Sequence, residues 1–208
     1  MLPARIPIFP LPNVVLFPNV FLPLHIFEER YREMVADALE GDRIIGMVLL
    51  KPGWEPDYEE RPTVFPVGCA GVITHVERLS GGRFNLVLKG LGKFRIRSEE
   101  YEQPYRVAVI DALPERLTDA DRLGLQDQRR RLEGLLATFL DTTELPLPAA
   151  MPDEDLVHAL AQYLSLEPVE RQALLEADGP LARSASLAEL IEMKLLLQST
   201  PAQSRGLH

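Results

Sequence analysis

The sequence is short of several features that would each indicate a class of protein. It has one cysteine in 208 residues, Cys69, so no internal disulfide can form and a reducing compartment is favoured. Its longest uncharged stretch, residues 6–26, contains five prolines, which excludes a membrane-spanning helix there. The first nine residues lack the apolar run of a signal peptide. We therefore expect a soluble, cytoplasmic protein with no membrane contact.

Basic charge is also scarce. The net charge is −9, and residues 113–208 carry 9 Lys and Arg against 16 Asp and Glu. Nonspecific binding to nucleic acid needs a basic surface, so this class of partner is disfavoured. A hydrophobic content of 46% is ordinary for a globular chain and sufficient for a core in one large or two small domains.

Motifs for catalysis and cofactor binding are absent from the sequence. There is no GxxxxGK[ST] loop, no GxGxxG after a predicted strand, no GxSxG elbow and no HExxH pair. Cys69 and His75 fall on one predicted strand about 20 Å apart, too far for a nucleophile and its base. We interpret Cys69 as a buried structural cysteine and His158 as a surface residue of a helix. No catalytic, cofactor-binding or metal-ligating residue is predicted.

The first half of the chain is predicted to be rich in strands. Val, Ile and Phe alternate with polar residues between Gly and Pro punctuation, which is typical of short strands in a closed sheet. Gly90 and Gly92 predict a hairpin or a barrel corner. Apolar residues at helical spacing predict one helix over residues 26–39. The predicted strands are 5–9, 43–50, 68–77, 84–89, 92–98 and 105–111.

After Pro114 the hydrophobic period changes to that of helices. A long helix is predicted over residues 119–141, followed by a proline-rich break. Asp153 is predicted to cap the next helix, and Pro168 to open another that ends at Gly179. Ser186 and Glu189 have the spacing of a capping box, which predicts that the last helix begins there.

Two features are candidates for binding. The loop of residues 51–62 places Trp54 and Tyr58 among prolines and acidic side chains, and aromatic residues on a stiffened polar loop are typical of interaction hot spots. Trp54 and Tyr58 are our predicted polypeptide-binding residues. The alternative interpretation is that Trp54 folds back as a structural lid over the end of the sheet.

The second feature is a basic stripe in the segment KFRIR. Phe94 and Ile96 alternate with Lys93, Arg95 and Arg97, so the two apolar residues are predicted to face the core and the three cations to face solvent. A stripe of this kind is either a solvated strand face or a phosphate-contacting groove.

The order of these segments resembles the N-terminal, substrate-binding domain of Lon proteases. IPIFPLPNVVLFPNVFLPLHIFEERYREMV is similar to the opening of that family. VGCAGVITHVERLSGGRFNLVLKGLGKFRI is similar to its G-R…G…R-x-x-I run, except that Lys93 stands where the family usually has Arg. The run LEPVERQALLEADGPLAR resembles part of the family's helical bundle, and the likeness extends over residues 5–197.

The resemblance implies an α+β fold: a PUA-like β pseudo-barrel with one inserted helix, followed by a C-terminal helical bundle. We expect a β-rich subdomain at 1–114, a bundle at 115–199 and a flexible tail at 200–208. The family's ATPase and peptidase modules have no counterpart here, so we expect a stand-alone form that is not an enzyme and needs no cofactor.

The resemblance also implies a function. We expect a polypeptide-recognition module whose partners are unfolded or exposed polypeptide segments, with an adaptor role beside a protease or chaperone as the finer hypothesis. A PUA-like RNA-binding or other nucleic-acid-binding protein and an unrecognised hydrolase are the alternatives. The sequence predicts no oligomeric state.

Overall fold

The structure is a computed structural model and describes residues 2–57, 61–139 and 150–199. Six strands and five helices are present in this part of the chain. The strands are β1 (Arg5–Leu11), β2 (Phe21–Ile26), β3 (Ile44–Leu49), β4 (Val67–Arg78), β5 (Phe84–Glu100) and β6 (Arg106–Leu113). The helices are α1 (Glu29–Glu40), α2 (Asp119–Phe139), α3 (Asp153–Tyr163), α4 (Pro168–Glu176) and α5 (Gly179–Ser199).

Five of the six strands form a closed sheet. The strand order is β2-β5-β4-β3-β1-β6, and β6 pairs again with β5, so β5, β4, β3, β1 and β6 form a ring. β1 and β3 are parallel, and the other pairings are antiparallel. This confirms the predicted α+β pseudo-barrel. β2 lies outside the ring, on the first half of β5.

The interior of the ring is filled by apolar side chains that alternate along its strands. Phe94 is completely buried, as predicted, and Ile96 packs against the same cluster. Added Cβ atoms on Gly46 and Gly68 would lie 2.8 and 2.7 Å from the Phe94 ring, so both positions need glycine for this ring to fit. The buried members of the cluster are Ile6, Ile8, Val48, Leu50, Val64, Ala70, Phe94, Ala108 and Ile110.

Of the two alternatives predicted for Gly90 and Gly92, a hairpin or a barrel corner, the hairpin is wrong, because β5 continues through both residues. Instead the β4–β5 register shifts opposite this point, which is the signature of a bulge. An added Cβ on Gly90 would collide with the backbone carbonyl of Phe17, which approaches β5 closely here. The glycines therefore serve a close backbone approach and a bend, not a chain reversal.

The chain divides into two compact units, and each unit is built from two separate stretches of the sequence. One contains Met1–Glu115 and His158–Glu176, and the other Arg116–Val157 and Ala177–His208. Within the first unit, buried Gln172 of α4 donates from Nε2 to Val67 O at 2.9 Å, which ties this helix to β4. The division at residue 114 and the flexible tail at 200–208 stay predictions, and the tail lies outside the described residues.

In the second unit α2 and α5 pack against each other. Gly124 leaves room for Leu181, whose side-chain atoms would lie 3.0 Å from an added Cβ, and Arg131 pairs with Glu192 at 2.8 Å. The predicted start of the last helix at Ser186 is wrong: α5 begins at Gly179, so Ser186 is internal to it.

Candidate functional site

The strand outside the ring presents an exposed row of side chains. Phe21, Pro23 and His25 alternate with buried or half-buried residues along β2, and Phe27 continues the row beyond the strand. Phe21 is 49% exposed and Phe27 is 61% exposed. The His25 and Phe27 rings are stacked, with 6.0 Å between centroids. We call these four residues the β2 surface; exposed aromatic area of this kind is typical of a contact site for another chain.

A chain of hydrogen bonds determines which ring nitrogen of His25 carries the proton. Asn85 Nδ2 donates to Glu77 Oε2 at 2.9 Å, which leaves Asn85 Oδ1 as the acceptor facing His25 Nδ1 at 2.8 Å. His25 must therefore carry its proton on Nδ1, since Oδ1 cannot donate. In the neutral ring Nε2 is then a hydrogen-bond acceptor, available to a donor on another molecule.

The other end of the β2 surface is basic. Lys89 lies opposite Phe21 in the β2–β5 register, and its Nζ is 5.9 Å from the centroid of the Phe21 ring. No described carboxylate pairs with Lys89. Leu91 is also exposed, in the bulge of β5, and Tyr163 Oη donates to Phe21 O at 2.9 Å. Apolar area and an unpaired cation thus lie together on this side of the sheet.

The loop predicted as a binding site is anchored at both ends. Trp54 is half-buried and packs against the apolar cluster in the ring, as the lid interpretation expects. Near the other end, Arg61 Nη1 donates to Glu100 O at 3.0 Å, and its guanidinium lies 4.4 Å from the Tyr101 ring centroid. Tyr58 lies outside the described residues. The binding role of Trp54 and Tyr58 stays a prediction.

A cleft of about 280 Å³ adjoins this loop, and its buried cation, Arg106, is paired. Arg106 donates from Nε and Nη2 to the two carboxylate oxygens of Glu99 at 2.7 and 2.6 Å, and from Nη1 to Pro62 O at 2.7 Å. These contacts satisfy the guanidinium and fix the start of β6 to the loop. These contacts of Arg106 are structural.

The basic stripe does not form a continuous solvent-facing groove. Lys93 was predicted to face solvent but is only 7% exposed and pairs with Glu115 at 2.8 Å. Arg97 pairs with Asp111 across the β5–β6 ladder, so Arg95 is the one member that stays exposed without an ion pair among the described residues. Glu115, which follows β6, is the partner that draws Lys93 inward, and hydrophobic alternation alone carries no signal for such a pair.

Residues with acid–base or ligand chemistry are dispersed. Cys69 is completely buried, as predicted. His158 was interpreted as a surface residue, but it is 3% exposed and stacks near Phe17. Burial and a hydrogen bond to Asp37 at 2.6 Å raise the pKa of Tyr105, which keeps its hydroxyl protonated. Within the described ranges, no group of three or more His, Cys, Asp or Glu could hold a metal ion, and no helix is long and apolar enough to cross a membrane.

The fold defines a class: an α+β protein built on a β pseudo-barrel, with one strand paired outside the ring. Comparison with known proteins identifies the family. Residues 5–193 match the model of the ATP-dependent protease La (LON) substrate-binding domain, and the chain belongs to that family.

The relatives are Lon proteases and their N-terminal domains. A Lon protease 2 of Sorangium cellulosum is 30% identical over 91% of this chain and 25% of its own length. One of Syntrophobacter fumaroxidans is 29% identical over 84% of this chain and 22% of its own length. The chain thus spans about a quarter of the curated relatives it matches.

Two solved structures share the fold. The N-terminal domain of a Mycobacterium avium complex Lon protease has a TM-score of 0.68 at 16% identity, covering 90% of this chain and 98% of that one. A Lon N-terminal domain protein from Xanthomonas campestris has a TM-score of 0.57 at 23% identity, covering 95% of this chain and 99% of that one.

Proposed function

We propose that this chain recognises polypeptides, binding unfolded or exposed segments without changing them covalently. The observation that carries the proposal is the match of a substrate-binding domain model to residues 5–193. The β2 surface supports it, because exposed aromatic area beside a lysine that has no carboxylate partner among the described residues accommodates many sequences with moderate affinity.

The finer parts of the proposal concern the protein's partners and its cellular compartment. The ATPase and peptidase activities of Lon proteases belong to modules that have no motif in this sequence. As the finer hypothesis, we propose that the protein acts as an adaptor in protein quality control, presenting polypeptides to a protease or chaperone in the cytoplasm. The sequence-based contact residues, Trp54 and Tyr58, are part of this proposal, and the β2 surface is the second candidate contact site.

Binding to an unfolded model polypeptide tests the proposal. Reduced, carboxymethylated α-lactalbumin stays unfolded in native buffer, and its native form is the matched control. We expect the unfolded form to bind with a dissociation constant of about 1 μM or weaker, equivalent to at most ~8 kcal/mol, and the native form not to bind measurably.

Activity assays complete the test. We expect no ATP hydrolysis and no cleavage of the bound polypeptide. Equal binding of both forms, binding of neither, or cleavage that copurifies with this chain through successive columns would contradict the proposal.

A further inference from the structure

We propose that the outer edge of β2 receives an extended polypeptide segment as an added strand, with apolar side chains against the β2 surface and a carboxylate beside Lys89. This inference rests on the proposed function and specifies how the polypeptide is held. The occupant is an extended segment that combines apolar and acidic side chains.

The position of β2 in the sheet is the first step. Ring closure pairs both edges of the other five strands, whereas β2 pairs only with β5. Unpaired backbone groups on such an edge are a template for another extended chain. Among the described residues, β2 is the strand whose outer edge pairs with no other strand along its whole length.

The second step is the direction of the backbone groups. Gly90 N donates to Val20 O at 2.9 Å, just before β2 begins. Because antiparallel pairing alternates, Leu22 and the residues in phase with it turn their backbone groups toward β5. Phe21, Pro23 and His25 then turn theirs outward.

Two independent details agree with this assignment. Tyr163 Oη donates to Phe21 O, so that carbonyl is not used by β5. Pro23, which has no N–H, occupies an outward position, where a strand tolerates proline. The outward groups that remain for a new chain are the N–H of Phe21, the C=O of Pro23 and both backbone groups of His25.

Charge complementarity identifies the occupant. Lys89 flanks Phe21 without a carboxylate partner among the described residues, whereas Glu77 on the same face is engaged by Asn85. An acidic side chain on the added strand would therefore gain an ion pair at Lys89. This preference is opposite to that of the loop of residues 51–62, whose acidic side chains favour Lys and Arg. The two candidate sites thus differ in the sign of the peptide charge that they select.

Pro23 also limits the strength of the contact. It interrupts the outward donors, so an added strand forms few backbone hydrogen bonds and binds weakly. Weak pairing suits a site that must release its polypeptide, and it protects β2 from permanent edge-to-edge association.

Synthetic peptides test the geometry directly. The probe is acetyl-Asp-Ser-Phe-Thr-Val-Thr-Phe-Ser-amide, in which Asp and the three apolar residues share one face of an extended strand, with Lys in place of Asp as the charge-reversed control. Two further versions carry backbone N-methyl groups, one on the odd-numbered residues and the other on the even-numbered residues; these two sets are the two phases. An added strand turns the N–H groups of only one phase toward β2, so we expect methylation of that phase to weaken binding about tenfold or more, and the other phase to bind nearly as well as the parent.

Variants of the protein test the charge and the edge. Lys89→Glu should reverse the preference from the Asp peptide to the Lys peptide, whereas Arg95→Glu should leave it unchanged, because Arg95 is an exposed cation without an ion pair among the described residues but lies outside the part of β5 that pairs with β2. His25→Pro removes an outward N–H and His25→Ala keeps it, so we expect the proline variant to bind more weakly than the alanine variant at equal thermal stability.

The outcomes separate this inference from the proposed function. If the unfolded polypeptide binds but the peptides do not, or if both methylated phases behave alike, the added-strand mode is wrong while polypeptide recognition stands. An unchanged charge preference in Lys89→Glu rejects the Lys89 contact. If neither unfolded polypeptide nor peptide binds, both proposals fail.

Discussion

Phe94 is the residue whose surroundings allow least change. It is fully buried in the ring, and its neighbours at positions 46 and 68 have no side chain. Phe94→Ala should lower the free energy of unfolding by ~3–5 kcal/mol, because it removes the ring and leaves a cavity that closed strands cannot fill. Chemical denaturation measures the change. Exposed Phe27→Ala is the control and should change stability by less than about 0.5 kcal/mol; equal effects of the two would contradict the assigned core.

Trp54 is the residue at which packing and binding predictions meet. Trp54 is partly buried and packs on the cluster in the ring, so Trp54→Ala should lower the melting temperature. If its exposed half also contacts polypeptide, affinity for carboxymethylated α-lactalbumin should fall by ~1–3 kcal/mol at a temperature where both proteins are folded. Trp54→Phe, which keeps most of the packing, is the control. Equal affinity of wild type and Trp54→Ala would remove this loop from the site.

At the scale of elements, the hydrogen bonds that stabilise the first turn of helix α2 depend on the ionisation of Asp121. Thr118 Oγ1 accepts from Asp121 N at 3.1 Å, while Thr118 N and Oγ1 donate to Asp121 Oδ2 at 2.8 and 2.7 Å, a reciprocal capping box. These bonds lower the pKa of Asp121 below 3.8 in the folded state. A lowered pKa means that the stabilisation is complete above the unfolded-state pKa and is lost as pH falls through the folded-state value.

The prediction follows from that sign. Asp121→Ala should lower the melting temperature by a few degrees at pH 7, a difference expected to shrink as pH falls below the ordinary Asp pKa of about 3.9. Asp119→Ala, in the same helical turn but with no capping bond, should have the smaller effect at pH 7. Thermal denaturation followed by circular dichroism measures both, and a difference between wild type and Asp121→Ala that persists unchanged in acid would contradict the capping assignment.

Element by element, the sequence predicts most strands and the long helix but misses β2. Leu22, Leu24 and Ile26 alternate in the manner of a strand, yet Pro23 argues against a strand in the middle of a sheet. The proline is compatible with β2 only because its outer edge is unpaired. Ring closure, which decides that, depends on contacts between strands far apart in sequence. The alternation of Leu22, Leu24 and Ile26 was the sequence signal for β2. The β2 surface could still not be predicted, because the unpaired edge is evident only once the sheet is known.

At the scale of the whole molecule, net charge and local charge point in different directions. The chain carries a net charge of −9, so an acidic polypeptide is repelled at long range. Lys89 creates a local exception on the β2 surface, and high salt screens both effects. Recognition by this protein is therefore expected to depend on short-range contact with exposed apolar and backbone groups, which is what distinguishes unfolded from folded polypeptides.

The most direct test of polypeptide recognition at this surface is amide hydrogen exchange of the whole protein, measured by NMR with and without carboxymethylated α-lactalbumin. We expect exchange to slow at the outward amides of Phe21 and His25, and to stay unchanged around Leu197, which is 70% exposed and serves as an internal control for general adhesion to apolar surface. Protection around Leu197 alone, or no protection anywhere at saturating polypeptide, would contradict the account.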